Sequence, residues 1–308
     1  MDRKALNEEL FSAVYKGDVD EVARLIREGA DVNAKGFGAY TPIGLAVERG
    51  NMDVVKALVA AKAKTGEAEA NYGKELAAAI KKQNYELALV LIKDGADPNY
   101  EDFDHNNMLI IAVEKGNPEL VDALLQAGAS VNSVNTDNNT ALYTAARKGF
   151  VEIAGSLLRA GANPSIKGQG RKTPLAVAVE SGNMAMIKLL LKAGAGINEP
   201  DFQGNTPIIT AAMSGDVETV RELIRAEADV NARGYGNYTP LLLAVENGHE
   251  EVIMELLAAK ARVDAENNDG ENAMIVAVKR KNTPLARMLL LAGADAGSRD
   301  IQGNTLLH

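Results

Sequence analysis

Three histidines, His105, His249 and His308, are the chain's first candidates for acid–base or metal chemistry. They lie far apart and lack the close spacing that a metal ion needs from its ligands. No serine, histidine and aspartate recur in an arrangement suited to nucleophilic catalysis. Cysteine is absent, which removes thiolate chemistry and disulfides and favours a reducing compartment. The glycine pairs Gly36-Phe37-Gly38, Gly168-Gln169-Gly170 and Gly234-Tyr235-Gly236 invite comparison with phosphate-cradling loops. A nucleotide fingerprint places such glycines between the strand and the helix of one βαβ unit. Here each pair precedes a Thr-Pro start, in a turn where glycine would serve for its positive φ. The carboxylates fall on helix positions expected to be exposed. The sequence thus predicts no enzyme, no cofactor and no metal.

The elements that hold these residues follow one period. The small dipeptide Gly29-Ala30 recurs as Lys62-Ala63, Gly95-Ala96, Gly128-Ala129, Gly161-Ala162, Gly194-Ala195, Glu227-Ala228, Lys260-Ala261 and Gly293-Ala294, in steps of 33. Alanines keep the same step from Ala13 to Ala277. A column of glycines, Gly17 to Gly248, is interrupted by Gln83 and continued by Lys281. Within one unit, residues 173–198, Thr173 caps a helix and Pro174 suits its first turn. That helix stops at Gly182, and a second, Met184 to Lys192, stops at Gly194. Helices this short are unstable alone and must bury their faces on neighbouring units. The alanine column marks where adjacent units approach too closely for a larger side chain.

The openings TPI at 41 and 206, TAL at 140 and TPL at 173, with AARKGFVEIAGSLLRAGANPS at 145–165, resemble the ankyrin repeat family. The resemblance implies an all-α solenoid, elongated and curved, with helix, turn, helix and a β-hairpin-like loop in each repeat. It spans the chain as one domain, 1–308, with repeats ending near 33, 66, 99, 132, 165, 198, 231, 264 and 297 and a partial tenth at 298–308. Residues 17–42 closely match residues 215–240, and 79–92 match 277–290, so units 1–3 resemble units 7–9. Duplication of a six-unit block explains this and would present two similar surfaces. The third unit is degenerate: Lys74-Glu75 replaces Thr-Pro and Gln83 replaces glycine. The ending DIQGNTLLH opens a helix without its mate, so a fragment of a longer protein, or a frayed last turn, is expected.

Function then falls to positions the fold leaves free. In the family these are the loop tips and the two residues after each alanine of the column, both on the concave face. Phe37, Tyr40, Tyr72, Phe103, Phe202, Tyr235 and Tyr238 stand at tips, where aromatics serve as interface anchors. After the alanines, nine positive and four negative residues make a basic strip on a chain of net charge −9. Arg49, Lys81, Lys82, Lys115, Arg147 and Lys148 lead it. The expectation is a monomeric scaffold that binds another protein or peptide, acidic or phosphorylated. The alternative is the regulatory or targeting region of a larger enzyme, channel or secreted effector. The overall negative charge argues against nucleic acid. No apolar run reaches the ~18–20 residues of a membrane helix, and the N-terminus lacks the apolar core of a signal peptide, so a cytoplasmic, membrane-free setting is expected.

Overall fold

The computed structural model describes residues 2–36, 40–65, 72–102 and 105–297. Among them there are eighteen α-helices, two single 3-10 turns and one isolated bridge, Glu101 to Asn107. The chain divides into two compact units, 1–136 and 137–308. The first holds α1 (Arg3–Lys16), α2 (Val19–Arg27), α3 (Pro42–Arg49), α4 (Met52–Thr65), α5 (Gly73–Lys81), α6 (Tyr85–Lys93), α7 (Met108–Glu114) and α8 (Pro118–Gln126). The second holds α9 (Ala141–Lys148), α10 (Val151–Arg159), α11 (Pro174–Glu180), α12 (Met184–Lys192), α13 (Pro207–Ser214), α14 (Val217–Arg225), α15 (Pro240–Asn247), α16 (Glu250–Ala258), α17 (Ala273–Lys279) and α18 (Thr283–Leu291).

Most helices start on a side-chain cap; those beginning after Asp2, Tyr72, Phe150, Thr206 and His249 do not. Thr140, Thr173 and Thr239 each accept from the backbone N–H three residues on, at 3.1–3.2 Å. Before the second helices Asp18, Asn84, Asn117, Asn183, Asp216 and Asn282 do the same. Between the helices Gly17, Gly149 and Gly215 take φ near +75°, as a short left-handed turn demands. The partial tenth repeat, and His308 with it, lie outside the described residues.

Packing follows the period. In the first unit α1 lies on α3, α3 on α5 and α5 on α7, with α2, α4, α6 and α8 as a second row. In the second unit α9, α11, α13, α15 and α17 follow one another likewise. The alanine column occupies these contacts: all nine residues are buried, and Ala46, Ala112, Ala145, Ala178, Ala211, Ala244 and Ala277 have no exposed surface. Asparagines tie hairpin to hairpin as well. Asn99 Oδ1 accepts from Ser130 N at 2.7 Å, Asn198 Oδ1 from Asp229 N at 2.9 Å, and Asn231 Oδ1 from Arg262 N at 2.8 Å.

Two expectations need correction. The turn expected at Lys62-Ala63 does not form, because α4 continues through good helix formers to Thr65. The related stretch Ala259-Lys260-Ala261 does turn, with Lys260 at φ +63°, and there Asn231 holds the next amide. The glycine pairs also divide their work. Among the described residues of these pairs, Gly170 and Gly236 have positive φ, whereas Gly168 and Gly234 do not. A Cβ on Gly168 would lie 2.7 Å from the Tyr143 ring, so the first glycine of the pair is there to let a neighbouring side chain close in.

Glu227, Lys260, Gln83 and Lys281 hold left-handed backbone where other units have glycine. Glu227→Gly should therefore raise unfolding stability by about 1 kcal/mol in chemical denaturation. A loss of stability would show that this strain has been misread.

Candidate functional site

A loop that doubles back on itself precedes the first helices. Gly36 N donates to Tyr40 O, Gly168 N to Lys172 O and Gly234 N to Tyr238 O, each at 2.9 Å. Adjacent loops pair main chain to main chain: Phe202 N donates to Gly170 O at 2.9 Å and Asn268 N to Gly236 O at 2.8 Å. The backbone thus fixes the tips and leaves their side chains free. Phe202 is 78% exposed and Tyr235 77%, at the same register one period apart.

The other predicted aromatics differ. Tyr40 is exposed and Tyr238 half-buried. Tyr72 is 6% exposed, which corrects its expected place on the open surface. With no Thr-Pro start, α5 begins at Gly73 and Tyr72 takes its N-cap position, packed inward. Burial, reinforced by Asp94 and Glu75, pushes the Tyr72 hydroxyl up to about 12. Phe37 and Phe103 lie outside the described residues.

One recurring pair, eight residues apart, braces the base of a loop against the helix that follows it. Lys172 Nζ meets Glu180 Oε1 at 2.6 Å, and in reversed polarity Lys279 Nζ meets Glu271 Oε1 at 2.7 Å. At the same positions Tyr40 hydrogen-bonds Glu48, which raises the Tyr40 pKa. Tyr238 is raised by burial first and then by Glu246, its counterpart eight residues on. The signal for this brace was available in the sequence as two columns of matched residues.

The basic strip is less free than its charge count implies. Lys81 pairs with Asp102 at 3.0 Å. Arg49 lies over the Tyr15 ring, 4.0 Å from its centre. Lys82 donates to the Glu48 carbonyl at 3.4 Å. Lys115, Arg147 and Lys148 are exposed and make no ion pair among the described residues. His249 Nε2 lies 3.1 Å from the Met213 carbonyl and helps join α16 to α13. His105 pairs with Glu101 at 3.0 Å in an exposed loop.

Sequence reasoning missed two concave features of the first unit. A cavity of about 290 Å³ opens between α3 and α5, with Tyr40, Val47 and Ala78 among its walls. Tyr40 also borders an apolar groove with Phe11, Tyr15 and Leu45.

A family model described as ankyrin repeats (3 copies) matches residues 10–102, 76–168, 156–234 and 233–300. No curated protein matches the chain. Among the described residues no helix is long and apolar enough to cross a membrane.

The reversed pairs predict their own exchange. Glu180→Lys should cost up to about 1 kcal/mol by setting two cations together, and adding Lys172→Glu should restore most of it. A double-mutant cycle with no coupling would remove the brace. Tyr72 supplies an alkaline test. Its folded pKa of about 12 exceeds the ordinary value near 10, so its contribution is complete below pH ~10 and is lost as pH rises toward 12. Tyr72→Phe should flatten the fall in Tm between about pH 10 and 11.5; an unchanged slope would contradict the burial argument.

Proposed function

This chain belongs to the ankyrin-repeat family, and on that premise we propose that it holds a partner protein or peptide on its exposed loop-tip and first-helix side chains. Ankyrin repeats are in general protein–protein interaction modules, and the fold is typically non-catalytic. The observation that carries the proposal is the pair of tip aromatics, Phe202 and Tyr235. Both are more than three-quarters exposed on loops whose geometry is already satisfied by backbone bonds. Neither ring is needed to close its loop, and large rigid rings in such positions anchor partners at little entropic cost.

Charge supports a partner that is acidic or phosphorylated. Arg147 and Lys148 are exposed at the end of α9 and make no ion pair among the described residues. Arginine in particular forms paired hydrogen bonds with carboxylate and phosphate. The whole chain's net charge of −9 would repel nucleic acid, while the cations of this region would attract an acidic segment.

A partner recovered by affinity capture and then purified provides the test. Phe202→Ala with Tyr235→Ala should weaken its binding about 30-fold or more, with Tm unchanged. Retained binding with a lower Tm would mean the rings serve loop packing alone. Tyr238→Ala should instead lower Tm, since that ring is half-buried and hydrogen-bonded to Asn267. Arg147→Glu with Lys148→Glu should slow association and reduce its salt dependence.

A further inference from the structure

We infer that the cavity between α3 and α5 is a side-chain pocket for an acidic peptide, open in the first copy of the duplicated block and filled in the second. It rests on the protein-binding reading above and names the chemistry that one part of that surface would select.

The two copies supply an internal comparison, 198 residues apart. Tyr40, Thr41, Val47 and Glu48 recur as Tyr238, Thr239, Val245 and Glu246. The other lining residues change: Gly44 becomes Leu242 and Ala78 becomes Val276, and at the rim Lys74, Glu75 and Lys82 become Asn272, Ala273 and Arg280. Leu242 is 1% exposed and Val276 7%, so the second copy spends both side chains on filling this space. In the first copy the space stays open, at about 290 Å³.

Nothing in the backbone asks for glycine at 44. It lies inside α3, where glycine weakens a helix, and its φ is not positive. Its N–H bonds Thr41 Oγ1 at 3.1 Å, just as Leu242 N bonds Thr239 Oγ1 at 3.2 Å. An added Cβ would come 3.2 Å from Thr41 Oγ1, a close approach that the Leu242 copy accommodates. The first helices carry Ile110, Tyr143, Ala176, Ile209 and Ile275 at this register, never a second glycine. What the glycine adds is room.

The rim decides the occupant. Of the two carboxylates there, Glu48 accepts from the Tyr40 hydroxyl and Glu75 from Thr41 Oγ1 at 3.4 Å. Lys74 makes no ion pair among the described residues, and Lys82 reaches only a carbonyl. The second copy replaces Lys74 with Asn272, so a rim cation and the open space disappear together. An apolar floor beside Lys74 and Lys82, which make no ion pair among the described residues, fits one aromatic or large aliphatic side chain next to Asp or Glu. The volume lies at the lower end for ligand sites, which suits one side chain better than a whole metabolite.

The test selects a phage-displayed random dodecapeptide library on the full chain. Enriched peptides should carry Phe, Trp, Leu or Met next to Asp or Glu. Their binding to Gly44→Leu/Ala78→Val should fall about tenfold or more, as the loss of one buried side chain implies. That variant installs the second copy's own packing and should melt higher than wild type. If it fails to fold, Ala78→Val alone narrows the floor and should show the same direction. Lys74→Gln/Lys82→Gln should weaken binding and flatten its salt dependence. Peptides without an acidic residue, or with equal affinity for the filled variant, overturn the pocket and leave the protein-binding reading standing. No enrichment over an unrelated control protein overturns both.

Discussion

The nine alanines from Ala13 to Ala277 set how closely one hairpin approaches the next, and little else in the structure stands without that approach. Most of the helices have seven to nine residues, too few to persist alone in water. They persist because neighbouring first helices meet over a methyl group. The meeting buries residues such as Leu10, Leu76, Leu109, Leu142, Leu175 and Leu241 on either side. A larger side chain in the column would push two backbones apart and open that core along the whole contact.

The loops depend on this spacing in turn. Adjacent tips come close enough to exchange backbone bonds only because the helices beneath them are close. Asn99, Asn198 and Asn231 can bridge to the next hairpin for the same reason. Braces beside α3, α11 and α17 then hold the base of the loop, using either polarity of charge or a tyrosine. Once backbone bonds have fixed the loop, its tip residue is spare. That is why Phe202 and Tyr235 are exposed, and why variation at the tips costs the fold little.

Much of the fold was legible in the sequence because its rules are local and repeated. Thr173 caps, Pro174 starts and Gly182 turns as their own chemistry dictates. What local chemistry does not decide was not legible. Lys62 and Lys260 share the motif Ala-Lys-Ala, yet one continues a helix and the other turns. Tyr72 reads as a tip residue until the lost Thr-Pro start draws it inward. The charge count of the strip overstated its free cations, because Lys81 and Lys279 find acids from loops distant in sequence or across the brace. The cavity hides in two small residues, Gly44 and Ala78, and emerges when the duplicated copies are laid side by side.

Hydrogen exchange on Ala211→Leu tests the central constraint most directly. Ala211 has no exposed surface and sits on α13, between α11 and α15. Overpacking there should lower the opening free energy of amides in α11, α13 and α15 by about 1–3 kcal/mol while leaving α2 unchanged. Unchanged protection in α11 and α15, or an equal loss in α2, would contradict the account.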